Sequence, residues 1–137
     1  MVIRPSEKKD LLVCEKLLHL PDFRFADGKY PDVEFLEKYL DDDYFLVVEI
    51  DEKIIGCIFG EPIKANGVFI WYFVVEEKHR NKGIGTKLFS EFEKRSRKNG
   101  IKWFNLYANS NKKTINFYSK NGLYIGKPYI ECKKILE

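Results

Sequence analysis

The sequence predicts one α/β (α+β) domain over residues 1–137, in which helices cover both faces of a mixed, mostly antiparallel sheet. Three observations lead to this fold class. The chain has 137 residues, the usual length of a single domain, and 45% of them are apolar, which is enough to form a core. The spacing of apolar residues changes from helical to β near residue 44 and returns to helical after residue 83. The run Phe69–Val75 is apolar at every position, as is typical of a strand covered on both faces.

The predicted elements follow in the order βααβββαβαββ, beginning with a short strand at the N-terminus. Ser6 is predicted to cap the first helix, which Pro21 ends. Apolar positions of this helix recur every three or four residues, at Leu11, Cys14 and Leu18. A second short helix is predicted from Asp32, with an apolar side formed by Phe35, Leu36, Tyr39 and Leu40.

Three strands are predicted next, over Tyr44–Ile50, Ile54–Glu61 and Val68–Val75. Their residues are mainly β-branched and aromatic, and polar turns separate them, which indicates an antiparallel meander. A helix with Ile84, Leu88 and Phe92 on one stripe then ends at Asn99-Gly100. The remaining predicted elements are a strand over Lys102–Ala108, a helix from Ser110 or Asn111 to Lys120, and two final strands, Tyr124–Ile125 and Tyr129–Leu136. The helical crossover makes the sheet mixed.

The turn from Val75 to Thr86 carries the strongest functional signal, because a buried strand leads through basic residues and glycines into a helix. At a helix start the first backbone N–H groups lack partners, so a pyrophosphate placed there accepts several hydrogen bonds. Gly83 and Gly85 have no side chain to hold the anion off. The Walker and dinucleotide glycine patterns are both incomplete in this turn, so neither nucleotide class is supported.

Two motifs resemble the GNAT superfamily of acetyl-CoA-dependent N-acetyltransferases. The pattern Arg/Gln-x-x-Gly-x-Gly/Ala is met by Arg80, Gly83 and Gly85 directly after a strand. A second pattern, Asn-x-x-Ala-x-x-x-Tyr-x-x-x-Gly-Phe, is met at Asn111, Tyr118 and Gly122. It departs from the family at Thr114 and Leu123, which replace Ala and Phe. The predicted element order also resembles the family over nearly the whole chain.

The resemblance implies which residues bind acetyl-CoA, the expected cosubstrate. The pyrophosphate would lie on the turn formed by Arg80, Asn81, Lys82, Gly83, Ile84, Gly85 and Thr86. The pantetheine arm would follow the strand end at Phe73, Val74 and Val75, and Asn111 would hydrogen-bond the cofactor. Tyr118 would donate a proton to the leaving thiolate as the general acid.

The general base is harder to assign, because Phe69–Val75 contains no acidic residue. Glu76 and Glu77 lie just beyond that strand, and Glu49 and Glu61 lie at the ends of its neighbours. Glu76 is the base candidate favoured here. An amine of low pKa would need little help from a base, which favours a peptide N-terminus or another weakly basic primary amine as acceptor.

The acceptor region is expected between the first two helices and the last strands. Acidic residues there could attract a cationic acceptor: Asp22, Asp27, Asp32 and Asp41 to Asp43. Aromatic residues there could form an acceptor wall: Phe23, Phe25, Tyr30 and Tyr129. No metal site is predicted, because His19 and His79 are isolated and the three cysteines have no short spacing.

Charge is divided between the two halves of the chain. Residues 1–77 carry 9 Lys and Arg against 17 Asp and Glu, and residues 78–137 carry 15 against 4. A module that binds nucleic acid through the basic half is therefore one alternative, and a non-catalytic acetyl-CoA-binding regulator of a protein partner is another. The favoured prediction is an acetyltransferase of a small molecule or peptide amine, with neither nucleic acid nor membrane as a partner.

The N-terminal sequence lacks the pattern of a signal peptide, and the odd number of cysteines does not fit a disulfide framework. We therefore expect a cytoplasmic protein with reduced thiols. The family resemblance also implies that two copies can pair as a homodimer through their C-terminal strands, which the sequence by itself leaves open.

Overall fold

The computed structural model describes residues 1–136, so Glu137, the last residue of the predicted domain, lies outside the described residues. Five strands form one sheet in the order in which they occur in the chain. They are β1 (Val2–Pro5), β2 (Phe45–Ile50), β3 (Lys53–Ile63), β4 (Gly67–Val75) and β5 (Trp103–Asn105). The pairs from β1 to β4 are antiparallel, whereas β4 and β5 are parallel. The predicted mixed, mostly antiparallel sheet is confirmed.

Helices lie on both faces of the sheet. They are α1 (Leu11–Leu17), α2 (Val33–Glu37), α3 (Ile84–Lys98) and α4 (Lys112–Lys120). Single 3₁₀ turns occupy Lys8–Asp10, Pro21–Phe23 and Glu77–His79. No described helix is long and apolar enough to cross a bilayer.

The prediction that Ser6 caps the first helix is wrong. The Ser6 backbone N–H donates to the carbonyl oxygen of Phe45 at 2.8 Å, so Ser6 extends the pairing of β1 with β2. The Ser6 hydroxyl is buried and has no hydrogen-bond partner among the described residues. Asp10 instead accepts a hydrogen bond from the Glu7 backbone N–H at 2.8 Å, which anchors the turn before α1.

Two apolar clusters sandwich the sheet. The cluster beneath α3 contains Leu46, Ile58, Leu88, Phe89 and Phe92 among its buried members. The cluster beneath α1 and α2 contains Leu11, Leu18, Leu36, Phe45 and Phe59. β4 contributes side chains to both clusters, so the prediction that this strand is covered on both faces is confirmed.

A β-bulge interrupts β4 at Trp71. Tyr72 pairs with Phe59 and Ile70 pairs with Gly60, which leaves Trp71 without a partner on β3. Ile70 belongs to the cluster beneath α3, whereas Tyr72 belongs to the cluster beneath α1 and α2. The extra residue therefore reverses which positions of the strand face each side of the sheet.

The sheet opens between β4 and β5. Their pairing is confined to Gly67 to Phe69 with Trp103 to Asn105, whereas β4 continues to Val75. The edge of β4 that faces away from β3 thus has no partner strand from Ile70 to Val75 within residues 1–136. α4 lies beyond this opening, and its N-cap is Asn111, one of the two predicted starts.

The prediction of two C-terminal strands is wrong within the described residues. The strand predicted over Lys102–Ala108 is limited to Trp103–Asn105, and neither Tyr124–Ile125 nor Tyr129–Leu136 forms a strand. Pro128 has no N–H for a ladder and Gly126 has no side chain to pack. Tyr124 and Ile130 are 94% and 91% exposed, so this segment covers no apolar face that would hold an isolated hairpin in place.

Candidate active site

The turn between β4 and α3 presents a row of free backbone donors. No hydrogen bond within residues 1–136 uses the N–H groups of residues 81–86 as donors, and the first helical bond is from Lys87 N–H to Gly83 carbonyl oxygen. Asn81 and Gly83 have positive φ angles of 64° and 78°, which bend the chain so that it enters the helix tightly. This arrangement can bind an anion such as a pyrophosphate.

Arg80 and Gly85 shape this turn in different ways. The Arg80 Nε donates to the carbonyl oxygen of Val75 at 2.8 Å and ties the turn to the end of β4. A Cβ placed on Gly85 would come 3.3 Å from Phe117 Cε2 and 3.7 Å from Phe73 Cζ. The absence of a Cβ on Gly85 therefore lets the start of α3 pack closely on the ring of Phe117.

The free edge of β4 continues this surface. Val74 and Val75 are buried and Phe73 is half-buried, with its ring 5.6 Å from the ring of Phe117. Only residues 76–80 separate the unpaired edge of β4 from the free donors of the turn, and the Arg80 hydrogen bond to Val75 holds the two together. An extended ligand with an anionic group at one end fits this combination of features.

Tyr118 lies on α4 beside the opening. Its ring packs 6.4 Å from that of Phe73 and lines a groove with Asn105 and Tyr107. Burial raises the pKa of Tyr118 from 10.0 to about 12. The phenol therefore keeps its proton at neutral pH and is available as a donor.

Asn111 has partners within the chain. Its side-chain oxygen accepts from Thr114 N–H at 2.9 Å, and its amide nitrogen donates to the Asn109 side-chain oxygen at 3.0 Å. Asn111 thus caps α4, the helix that carries Tyr118. Its contact with a cofactor stays a prediction.

The four glutamates predicted as candidates for the general base lie apart from one another. Glu76 forms an ion pair with Lys78 at 3.4 Å and lines a small cavity beside the turn between β2 and β3. Glu49 pairs with Arg4 at the far edge of the sheet, whereas Glu77 is exposed. Glu61 accepts a hydrogen bond from Trp71 Nε1 at 3.1 Å beside the opening.

Most of the acidic residues predicted to attract an acceptor instead stabilise local structure. Asp32 caps α2, Asp27 accepts from Lys29 N–H, and Asp41 accepts from Asp43 N–H. Asp43 itself receives a hydrogen bond from Asn99. Asp42 is exposed, and its carbonyl oxygen accepts from Arg95.

Asp22 differs from these residues, because its carboxylate accepts from Asn109 Nδ2 at 3.2 Å and so links the loop before α2 to the segment after β5. The predicted aromatic wall is also divided. Phe23 packs on Tyr72, whereas Phe25 packs on Phe35 and Tyr30 stacks on His19. Tyr129 lies near the opening through its contact with Tyr107.

Three residues beside the opening were not predicted as site residues: Trp71, Tyr107 and Asn109. Trp71 lies within an unbroken apolar run, so the sequence gives no sign that a bulge exposes it. Tyr107 and Asn109 lie in a stretch predicted to be a strand and the turn after it. Among residues 1–136 no three His, Cys, Asp or Glu side chains gather as metal ligands.

A family model described as acetyltransferase (GNAT) family matches residues 15–123, which is well over half of the chain. The chain belongs to the GNAT family of acetyltransferases. This GNAT chain is 29% identical over 92 residues to the L-2,4-diaminobutyric acid acetyltransferase of Virgibacillus pantothenticus. The match covers 66% of the chain and 57% of that protein, so the chain spans little more than half the length of this relative.

Solved structures share the GNAT fold of this chain. The PaiA N-acetyltransferase of Thermoplasma acidophilum in complex with coenzyme A superimposes with a TM-score of 0.78 at 24% identity, covering 93% of this chain and 92% of that one. An aminoglycoside acetyltransferase from an uncultured soil metagenomic sample in complex with sisomicin gives a TM-score of 0.74 at 19% identity, with 99% and 96% coverage. At such identities the likeness concerns the fold.

Proposed function

We propose that this GNAT chain is an N-acetyltransferase that moves the acetyl group of acetyl-CoA directly onto a primary amine of a small molecule or of a peptide N-terminus. The observation that carries this proposal is the row of free N–H groups at residues 81–86, which Arg80 ties to the end of the unpaired edge of β4. Membership of the family adds support. The described residues offer no observation that favours the non-catalytic alternative.

The residues proposed to hold acetyl-CoA fall into two groups. The free N–H groups from Asn81 to Thr86 would bind the pyrophosphate, with Lys82 adding positive charge. The backbone of Phe73, Val74 and Val75 would pair with the amides of the pantetheine arm, because that edge of β4 has no partner strand. The fit rests on the unpartnered donors of the turn and on the unpaired edge of β4.

When bound, acetyl-CoA supplies an activated acetyl group, which forms an amide with the acceptor nitrogen as the bond to sulfur breaks and CoA leaves as a thiol. In this proposal the Tyr118 hydroxyl holds its proton toward the sulfur and stabilises the charge that develops there. The acceptor must arrive as, or become, a neutral amine, and its surplus proton passes to solvent or to a base.

Glu76 stays the predicted base. Its side chain lines a small cavity at the end of β4 together with Lys53, Lys78 and Lys82. A Glu76→Gln variant should lower kcat without weakening the binding of acetyl-CoA if this carboxylate takes the proton. A kcat equal to that of the wild type would remove Glu76 from the mechanism and leave water as the acceptor of the proton.

The acceptor is proposed to be a small amine. The named relatives act on diaminobutyric acid and on aminoglycosides, which are amines with more than one basic nitrogen. Presenting an ordinary lysine-type amine in its neutral form at pH 7 costs about 4.6 kcal/mol, whereas an α-amine costs about 1 kcal/mol. Three free cysteines fit the proposed cytoplasmic location, and pairing as a homodimer stays a prediction.

Thermal unfolding with and without acetyl-CoA tests the binding step without any choice of acceptor. Ligand at 100 times its dissociation constant should add about 2.7 kcal/mol to the free energy of unfolding. Release of CoA thiol in the presence of a panel of amines and peptides then tests the transfer step. Stabilisation without turnover on any amine would favour the regulator, and no stabilisation would contradict both functions.

A further inference from the structure

Three aromatic side chains form an exposed cluster where β4 and β5 part. The ring of Phe69 lies 4.7 Å from Trp71 and 5.4 Å from Tyr107, in both cases edge to face. Trp71 is 46% exposed and Tyr107 is 73% exposed. Faces of Trp and Tyr rings that remain open to solvent attract cations through the charge distribution of the ring.

Glu61 adds a carboxylate to this cluster. It lies opposite Phe69 in the register of β3 with β4, and its Oε1 accepts from Trp71 Nε1 at 3.1 Å. None of the ion pairs formed by residues 1–136 includes Glu61. The negative charge beside the three rings is therefore uncompensated, and the indole N–H fixes the carboxylate there.

The bulge at Trp71 gives this cluster its position relative to the proposed reaction site. Phe69 and Tyr72 point to the side of the sheet covered by α1 and α2, and Trp71 joins Phe69 on that side. Phe73, two residues after Trp71, points to the opposite side, where it packs near Tyr118. A ligand at the cluster thus lies across the opening from the proposed general acid.

We propose that Phe69, Trp71, Tyr107 and Glu61 bind the second, non-reacting ammonium group of a diamine acceptor; this subsite rests on the proposed acetyltransferase function. A nitrogen that is held by a carboxylate keeps its proton more firmly, and a protonated nitrogen cannot attack a carbonyl. The nitrogen in the cluster is therefore the anchor, and the other amine of the same molecule accepts the acetyl group.

Two amines with the same carbon chain test this subsite: 1,4-diaminobutane, which retains an ammonium when one end reacts, and butylamine, which does not. The wild type should acetylate the diamine with a kcat/KM at least about tenfold higher. Glu61→Gln keeps the side-chain shape and an oxygen for the indole N–H, and it should reduce the ratio of kcat/KM for the diamine to kcat/KM for butylamine about fivefold.

Glu52→Gln is the matched control, because it removes the same charge in the exposed turn between β2 and β3, at the other end of β3 from Glu61. This variant should keep the full preference for the diamine. An equal fall in preference for Glu52→Gln and Glu61→Gln would show that long-range charge causes the preference, and it would overturn the subsite.

Variants of Trp71 distinguish the contribution of the aromatic ring from that of the indole N–H. Trp71→Leu should lower kcat/KM for the diamine about tenfold, whereas Trp71→Phe should retain the aromatic face and lose about threefold. Unfolding temperatures measured in parallel identify any variant that fails to fold. Indistinguishable activity of Trp71→Leu and the wild type on both amines would overturn the proposal.

Binding can be followed without turnover, through quenching of tryptophan fluorescence by 1,4-diaminobutane in the presence of CoA. Quenching that Glu61→Gln weakens but Glu52→Gln does not supports the subsite, even if no acetyl group is transferred and the proposed function fails. Turnover of both amines with equal kcat/KM supports the proposed function and contradicts the subsite. Absence of quenching in the wild type also contradicts it.

Discussion

The two sides of the opening between β4 and β5 expose different parts of the polypeptide. On the side of α3, the free groups are backbone N–H donors of residues 81–86, and the side chain of Arg80 holds the turn. On the side of Trp71, the free groups are aromatic rings and one carboxylate. A backbone site recognises a constant part of a ligand, whereas a side-chain site can change with each substitution and so can set acceptor specificity.

The largest effect is expected from a bulky side chain at Gly85, on the side of the opening where the backbone donors lie. Gly85→Leu would press a side chain against Phe117 and displace the start of α3, and it should abolish the stabilisation of about 2.7 kcal/mol expected from acetyl-CoA at 100 times the wild-type dissociation constant. Thermal unfolding with and without ligand measures this change. Gly126→Leu is the matched control, because no atom lies within 4 Å of its added Cβ. Undiminished stabilisation of Gly85→Leu would show that acetyl-CoA does not use this turn.

Tyr118 should affect the rate and leave binding unchanged. Tyr118→Phe keeps the ring against Phe73 but removes the hydroxyl, so kcat should fall about 100-fold while the dissociation constant of acetyl-CoA stays the same. The raised pKa of about 12 means that the proton-bearing form is present at lower pH and is lost only as the pH rises through that value. Wild-type kcat should therefore show no loss from this group below about pH 11. Equal kcat values for the variant and the wild type would exclude the acid role.

The part of the site that the sequence predicts best is the part made by the backbone. Free N–H groups at a helix start depend on local features, a strand followed by glycines and a helix, and the sequence around Gly83 and Gly85 displays them directly. The exposed aromatic cluster around Trp71 depends on a one-residue bulge and on contacts between residues far apart in the chain, such as Phe69 with Tyr107. Neither feature changes the apolar pattern of β4, so periodicity cannot detect it.

The strands of the sheet show the same contrast between features set by local sequence and features set by distant contacts. Strands β2, β3 and β4 were predicted closely, because runs of β-branched and aromatic residues and the polar turns between them mark these strands locally. The last two strands were predicted from composition, but strand formation also needs an edge to pair with and a face to cover. The exposed side chains of Tyr124 and Ile130 show that the segment meets neither requirement within the described residues.

The ion pair between Arg4 and Asp10, at the far edge of the sheet, tests whether the proposed binding sites depend on the overall stability of the fold. Arg4 donates to Asp10 at 2.8 Å, and Asp10 is almost fully buried. Asp10→Asn should lower the free energy of unfolding by about 2 kcal/mol, because Arg4 loses its nearest charged partner. Binding of acetyl-CoA and kcat should not change. A parallel fall in kcat measured well below the unfolding temperature would show that the site is coupled to this edge.

The ion pair between Arg4 and Asp10 also predicts how the free energy of unfolding depends on pH. Burial by itself would raise the pKa of Asp10, but hydrogen bonds from Arg4 and from the Glu7 N–H outweigh burial and hold the pKa below its ordinary value. The stabilisation is therefore complete above the ordinary carboxyl pKa of about 3.9 and is lost as the pH falls through the lower folded-state value. Unfolding measured from pH 6 to pH 2 should show the wild type losing its advantage over Asp10→Asn. A constant difference across that range would contradict this assignment.

The smallest effect is expected from substitutions of Asn111, the N-cap of the helix α4. Asn111→Ala removes the oxygen that accepts from Thr114 N–H and should cost about 1 kcal/mol of stability. Asn111→Asp keeps an acceptor for that N–H and should retain most of the stability, but it cannot donate to Asn109. If Asn111 acts only as a helix cap, the aspartate variant keeps both kcat and acetyl-CoA affinity. A loss of acetyl-CoA affinity in both variants, with stability kept in Asn111→Asp, would instead support the cofactor contact that the family motif implies.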